Sequence, residues 1–183
     1  KIFGEEHHDT AKSYSSLGGL YMGLGNYAKA EPLYLKALEI YKKVLGEKHA
    51  GTVRSYNNLA FLYLDTDRPD DALDIFKSTN YALGFGLYHL KKGNFNEAET
   101  SFRRGLQFSE KRGEKESIIA YFIGLALSYE GKGNYAEAKD FFNKAIAIIE
   151  SQYKTLEFSD RVNFLSGLTW AGISRLEPYE GMV

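Results

Sequence analysis

The fold is decided by one stretch of the sequence, residues 17–34, which reads LGGLYMGLGNYAKAEPLY. Its central phrase, glycine and asparagine followed by an aromatic residue, begins at three positions: Gly25, Gly93 and Gly133. In each copy an alanine follows the aromatic residue by three positions, and a second aromatic residue follows the alanine by four. Residues 67–69, which read DRP, precede Ala72 and Phe76 with the same spacing. The sequence therefore contains four repeated units.

A longer repeat, with an offset of 42 residues, relates the first two units. Residues 2–10 read IFGEEHHDT, and residues 44–52 read VLGEKHAGT. The match continues through the pairs Ser13/Ser55, Tyr14/Tyr56, Leu17/Leu59, Leu20/Leu62, Tyr21/Tyr63 and Ala30/Ala72. Chance does not give so many matches at one offset, so we interpret the two segments as copies of one structural unit.

Each unit is predicted to form a helix, a tight turn and a second helix. Glycine tolerates the positive φ that ends the first helix. The small alanine lets the two helices approach closely, and the aromatic residue four positions later lies on the same face. Gly18 and Gly86 are expected where first helices pack tightly against their partners. We expect Thr10 and Thr52 to cap the first helices of units one and two.

This pattern resembles a known family, the tetratricopeptide repeat. The resemblance is carried by Leu17-Gly18, Tyr21, Gly25, Tyr27, Ala30, Tyr34 and Ala37. The offset of 42, the phrase LG-x-x-H-x-x-T and the run Tyr56-Asn57-Asn58-Leu59-Ala60 are similar to the subtype found in kinesin light chains and many bacterial proteins. The match covers about residues 2–150. It implies an all-α fold, a right-handed superhelical solenoid of antiparallel helix pairs.

The spacing of the repeats predicts the domain organisation. Residues 1–157 are expected to form the array, with units at 1–46, 47–78, 79–112 and 113–157. Only 26 residues separate Asp67 from Gly93, so the second helix of unit two is predicted to be short, from Pro69 to Ser78, with Thr79 and Asn80 in the turn. Residues 158–183 match poorly. They are predicted to form a ninth, amphipathic helix that caps the array or begins a further unit. Because the chain starts at Lys1 with a motif already under way, we expect a fragment of a longer protein or a processed one.

Composition excludes several classes of protein. Hydrophobic residues make up 44% of the 183 residues, which is enough for a core and argues against disorder. The net charge of −1 gives no bulk attraction to nucleic acid or to an anionic membrane. With no cysteine, a disulfide scaffold, a thiolate metal site and a cysteine nucleophile are excluded. No apolar run approaches the ~20 residues of a membrane helix. We expect a cytoplasmic protein without cofactor.

Candidate catalytic and metal-binding residues are few, and each has a structural explanation that we favour. His7-His8-Asp9 could be part of a metal site, but His7 recurs as His49, as expected of a scaffold residue. Gly84-Phe85-Gly86 follows no predicted strand and lacks the remainder of a phosphate-binding motif. His89 stands where the repeat has a tyrosine, which favours packing. The basic stretch 103–115 contains interleaved glutamates, as is typical of a solvated helix face. We therefore predict no catalytic residue, no metal site and no enzyme.

The resemblance also implies where a ligand binds, because in this family the first helices line a concave groove. Carrying over the groove positions gives Lys12, Ser16, Arg54, Asn57, Asn58, Phe61, Asp65, Leu87 and Leu127. The cations and amides of the first half suit a carboxylate or a peptide backbone. Leu87 and Leu127 suit apolar side chains, although packing against neighbouring first helices is an equal alternative.

The favoured function is a protein-interaction module that binds a peptide or protein segment, with acidic groups facing the first half. One alternative is a regulatory or sensor arm of a larger multidomain protein, such as a CHAT-type protease. A second is an RNA-binding helical repeat, which the charge balance disfavours. No membrane partner is expected, and self-association is left open.

Overall fold

The computed structural model describes residues 7–155, and within this range the protein is built from eight α-helices. They are α1 (His8–Gly23), α2 (Tyr27–Leu45), α3 (Ala50–Asp65), α4 (Pro69–Thr79), α5 (Ala82–Lys91), α6 (Phe95–Arg112), α7 (Lys115–Gly131) and α8 (Tyr135–Thr155). The all-α prediction is confirmed. The predicted ninth helix, in residues 158–183, lies outside the described residues. None of the helices between residues 7 and 155 is long and apolar enough to cross a membrane.

The repeated phrases form the turns inside the helix pairs, as predicted. The glycine in the middle of each of these turns has a positive φ: +68° at Gly25, +72° at Gly93 and +77° at Gly133. Asp67 replaces glycine in the second unit and adopts a φ of +58°. Each turn contains three residues, so the paired helices reverse direction and run antiparallel.

Close approach of the paired helices depends on glycine on one side and an aromatic ring on the other. A Cβ atom on Gly18 would lie 2.9 Å from the ring of Tyr34, and one on Gly86 would lie 2.1 Å from the ring of Phe102. The repeated alanines are almost completely inaccessible: Ala30, Ala72, Ala98 and Ala138. The sequence-based assignment of these small residues to the helix interfaces is confirmed.

The short second helix of unit two is also confirmed, and it extends one residue further than predicted. α4 ends at Thr79, and Asn80 adopts the left-handed conformation, with a φ of +50°. Asparagine is one of the residues that tolerate this conformation at a helix end.

The prediction that Thr10 and Thr52 cap the first helices of units one and two is wrong, because histidines cap α1 and α3. The Nδ1 atom of His7 accepts a hydrogen bond from the backbone N–H of Asp9, at 3.2 Å. His49 accepts from Gly51 in the same way, at 3.1 Å. Thr52 instead donates its hydroxyl hydrogen to the carbonyl of Gly46, 2.7 Å away, and so fastens the preceding loop. Each histidine occupies the N-cap position and accepts from the backbone N–H two residues later. Thr10 and Thr52, three residues after these caps, therefore lie inside the first turn of their helices.

The chain divides into two compact units, residues 1–84 and 85–183, each with its own core. We call their described parts the N-terminal unit and the C-terminal unit. In the N-terminal unit Phe61, Phe76 and Tyr81 form an aromatic cluster, with ring centroids 5.9–6.2 Å apart. In the C-terminal unit the fully buried side chains include Phe102, Ile119 and Leu125.

Candidate functional site

The polar candidates of the N-terminal unit lie on the first helices α1 and α3. Lys12 and Ser16 are one turn apart on α1, and both are exposed. Arg54 is exposed near the start of α3, and Asp65 is exposed at its end. These four side chains can reach a ligand in solvent without rearrangement of the core.

Asn57 has a structural partner within the protein. Its side chain is only 9% exposed, and its Oδ1 accepts a hydrogen bond from the hydroxyl of Thr79, at 2.9 Å. The same hydroxyl lies 3.0 Å from the carbonyl oxygen of Ile75. Asn57 therefore links α3 to the end of α4. This structural role explains an amide in the middle of a helix, as an alternative to the predicted contact with a ligand.

Phe61 and Asn58 are less accessible than the exposed polar candidates on the same helix. Phe61 is 7% exposed and belongs to the aromatic cluster with Phe76 and Tyr81. Asn58 is half-buried. In the repeat register it corresponds to Gly84 and Gly124, both of which closely approach an aromatic ring of the preceding second helix. Part of the Asn58 side chain therefore faces α2.

The apolar candidates of the C-terminal unit differ in burial. Leu87 is 9% exposed on α5, whereas Leu127 is half-buried on α7. Ile123, one turn before Leu127, is 8% exposed. Leu127 is thus the more accessible of the two leucines for an apolar ligand group.

Sequence analysis missed a hydrogen-bonded charge network that is centred on Glu99 of α6. Its carboxylate accepts hydrogen bonds from Nε of Arg103, at 2.7 Å, from the hydroxyl of Tyr129, at 2.8 Å, and from Nζ of Lys132. Burial by itself raises the pKa of Glu99, but these three donors outweigh burial and lower that pKa to about 2. The network joins α6 to α7 and to the turn that follows it.

A second network, in the N-terminal unit, uses the same repeat position. Glu31 follows Ala30 as Glu99 follows Ala98, and its carboxylate accepts a hydrogen bond from Nη1 of Arg68, at 2.9 Å. Arg68 also donates to Asp71, at 2.8 Å. Its guanidinium lies 4.0 Å from the ring centroid of Tyr63. The sequence did contain a signal for these two networks. An Ala-Glu pair recurs at residues 30–31 and 98–99, and the turn of the following unit carries a cation, Arg68 or Lys132.

Contacts in the structure support the structural explanations of the other candidates. His7, His8 and Asp9 bring possible metal ligands within 4.8 Å of one another, but Nδ1 of His7 is already used in capping. In the basic stretch, Arg103 pairs with Glu99 and Arg112 pairs with Glu114. His89 packs edge-on against Tyr88, with ring centroids 5.2 Å apart.

A shallow cleft of about 330 Å³ lies beside His89 on the C-terminal unit. Its lining residues are His89, Asn96, Glu97, Thr100 and Ser101. The hydroxyls of Thr100 and Ser101 donate to carbonyls of their own helix. The cleft is open, and both of these hydroxyls are engaged by their own helix.

Comparison with known proteins agrees with this architecture. A family model, tetratricopeptide repeat, matches residues 9–79 and 78–151. The chain belongs to the tetratricopeptide repeat family. Tetratricopeptide repeats are generally protein-interaction modules, and the family is one of non-enzymatic scaffolds. A search of curated proteins gave no match.

Solved structures place the fold among kinesin-light-chain-like tetratricopeptide repeats. Two crystal structures of a kinesin light chain of Podosopora anserina, with nearly identical repeats, each have a TM-score of 0.60 and 19% identity. They cover 84% and 92% of this chain, and 81% and 88% of their own chains. BtubC of P. vanneervenii has a TM-score of 0.57 and 20% identity, over 80% of this chain and 65% of its own. At these identities the likeness concerns the fold.

Proposed function

We propose that this tetratricopeptide protein binds an extended or helical peptide segment of another protein along its first helices. The observation that carries the proposal is that Lys12, Ser16 and Arg54 are exposed on first helices, at the positions that the family turns toward its groove. The opposite faces of these helices supply the core, so these polar side chains have no role in burying apolar surface.

Charge defines the class of ligand that suits the N-terminal unit. Lys12 and Arg54 occupy equivalent places in neighbouring repeats, since they are 42 residues apart. Arginine presents a planar fork of donors that matches a carboxylate. Two cations at equivalent positions favour a segment with an acidic side chain or a terminal carboxylate.

Burial separates the candidates by role. Asn57 and Phe61 support the binding helix from within, because their side chains are in contact with α4 or with the aromatic cluster. Direct contact with the ligand is assigned to Lys12, Ser16, Arg54, the accessible part of Asn58, and Asp65. In the C-terminal unit Leu127 is the preferred apolar contact.

The test combines partner identification with a double substitution. A pull-down with the chain, followed by peptide mapping, supplies the ligand. Arg54→Ala with Asn58→Ala should then weaken binding by about 2–4 kcal/mol, if both make charge-assisted or buried hydrogen bonds. Arg104→Ala, which removes an exposed cation from the second helix α6, is the matched control and should leave the affinity unchanged.

Titration calorimetry, with thermal unfolding of each variant, distinguishes the outcomes. Wild-type affinity in the double variant would refute the groove in the N-terminal unit. Loss of folding would show that these residues belong to the scaffold.

The alternatives differ in what fills the same groove. A regulatory arm would hold a segment of its own larger protein, so a catalytic domain in the same polypeptide would favour that function. RNA binding would be steeply salt-dependent. The pairing of Arg103 and Arg112 with glutamates weighs against RNA.

A further inference from the structure

A concavity of about 560 Å³ lies on the second half of α2, in the N-terminal unit. It is lined by two leucines and four charged residues: Leu35, Leu38, Glu39, Lys42, Lys43 and Glu47. We call this surface the α2 concavity. None of its residues is a candidate position of the proposed groove, so the two surfaces are distinct.

The shortness of α4 explains why this part of α2 is open. α4 begins beside α2, because its N-cap residue Arg68 donates from Nη1 to the carboxylate of Glu31, at 2.9 Å. By the repeat offset of 42, Thr79, the last residue of α4, corresponds to Ala37. α2 continues to Leu45, eight residues or ~12 Å further. α4 is therefore about two turns too short to accompany α2 to its end.

The α2 concavity continues the side of the helix that α4 contacts. Leu35, Leu38 and Lys42 follow the glutamate of that contact by four, seven and eleven residues. This spacing keeps all four side chains on one side of the helix. The side of α2 that carries the contact with α4 thus extends into the concavity.

α6 and α8, in the C-terminal unit, show what two long second helices do at this position. α6 has 18 residues and α8 has 21, so α8 is long enough to accompany α6 throughout. Arg103 of α6 stands at the repeat position of Leu35, and its guanidinium lies 5.8 Å from the ring centroid of Phe141 on α8. This position is therefore one at which a second helix contacts the next. On α2 it holds a leucine that is 45% exposed.

The charges of the α2 concavity define what it lacks. Nζ of Lys42 already lies 2.9 Å from the carboxylate of Glu47 and 5.8 Å from the ring centroid of Tyr56. Glu39 is exposed, and within residues 7–155 it forms no ion pair. The concavity therefore offers an apolar surface beside an uncompensated carboxylate.

We propose that the α2 concavity binds a short helical segment of another protein, in the place of the two turns by which α4 falls short. The segment presents an apolar side chain to Leu35 and Leu38, and a lysine or arginine to Glu39. Amphipathic helices bind in such grooves through apolar residues spaced by one turn. The ligand of this surface is basic, whereas the proposed groove favours an acidic segment, so the two sites select different segments.

A pair of model helices tests the proposal. The first is a fluorescent, alanine-rich peptide of about 16 residues, long enough to be helical in water, with leucine and lysine side chains one turn apart. The second has glutamine in place of each lysine. Fluorescence anisotropy with the full chain should show saturable binding of the lysine peptide. Glu39→Gln should weaken that binding about twofold to fivefold, as expected for an exposed ion pair, and leave the glutamine peptide unaffected.

Two substitutions on α2 test where the peptides bind. Leu35→Asp should weaken the binding of both peptides about tenfold or more, because it places a charge in the apolar contact. Val44→Asp is the matched control and should bind like the wild type. Val44 is 42% exposed and lies nine residues from Leu35, about two and a half turns away and so on the opposite side of α2. If Leu35→Asp is unfolded by circular dichroism, Leu35→Gln replaces it.

The groove variant, Arg54→Ala with Asn58→Ala, should bind both peptides like the wild type, which separates this site from the groove. The absence of saturable binding of the lysine peptide up to millimolar concentration would overturn the proposal. So would equal losses in Leu35→Asp and Val44→Asp, or a Glu39→Gln variant that weakens both peptides equally. Self-association of the wild type that Leu35→Asp abolishes, measured by sedimentation velocity, would assign the concavity to a second copy and overturn it as well.

Discussion

Both units of the chain place a glutamate at the same repeat position, Glu31 and Glu99, and pair it with a cation near the next turn, but the two ion pairs are buried to different depths. In the N-terminal unit, Arg68 and Glu31 are 43% and 33% exposed. In the C-terminal unit, Lys132 and Glu99 are 21% and 18% exposed. An aromatic ring lies near the cation in both pairs, Tyr63 at 4.0 Å from the Arg68 guanidinium and Tyr129 at 4.6 Å from Nζ of Lys132. Solvent screens the first pair more than the second because of its greater exposure. We therefore expect Glu31 to contribute less to stability than Glu99.

The aromatic residue that follows the repeated alanine shows the same difference. Tyr34 meets the close-packed Gly18 on one side, and the position equivalent to Gly124 on its other side is Asn58. Phe102 meets a glycine on both sides, Gly86 and Gly124. The C-terminal unit is thus packed more tightly around its central second helix.

The largest effect is expected at Phe102. Phe102→Ala should lower the free energy of unfolding by about 3–5 kcal/mol, because it empties a space that two glycines leave for one ring. Tyr34→Ala, at the equivalent position, should cost less. Phe108→Ala, on the same helix but 61% exposed, is the control and should cost less than about 1 kcal/mol. Urea unfolding of the three variants measures the order, and an equal loss for Phe102 and Phe108 would contradict the packing.

An intermediate effect is expected at Glu99. Glu99→Gln should destabilise the protein by about 1–2 kcal/mol at neutral pH, after allowance for solvent screening of a partly exposed network. Glu31→Gln, the matched variant of the N-terminal unit, should cost less.

The pH dependence of the Glu99 variant sharpens the comparison. Because the pKa of Glu99 is lowered from 4.5 to about 2, its stabilisation is fully present above pH 4.5 and is lost as the pH falls toward 2. The difference in unfolding free energy between the wild type and Glu99→Gln should therefore shrink over that range. A difference that is constant from pH 7 to pH 2 would show that the Glu99 carboxylate is not stabilised by its donors.

The smallest effect is expected at the histidine cap of α3. His49→Ala should cost about 0.5–1 kcal/mol, since the N–H of Gly51 loses its acceptor. His49→Asn, which restores an acceptor, should recover most of the loss. In the C-terminal unit the N-cap of α7, Glu114, makes no side-chain capping bond, so no equivalent loss is expected there. Thermal unfolding measures the difference, and an unchanged His49→Ala variant would assign the cap no energetic role.

The sequence by itself determined the helix pairs, their turns and the family. The glycines at positive φ, the inaccessible alanines and the short α4 all follow from local requirements: backbone freedom, side-chain volume and the spacing of turns. These properties are written in single residues at fixed offsets, and a sequence pattern records them directly.

Only the tertiary structure decided which polar residues of that pattern are accessible. Asn57 and Asn58 are adjacent amides, yet Asn57 is bonded to Thr79, which lies 22 residues further along the chain. Glu99 gained its low pKa from Tyr129 and Lys132, at separations of 30 and 33 residues. Burial and electrostatic stabilisation depend on neighbours from other helices. The repeat fixes where a side chain begins, and the packing of those helices fixes what it meets.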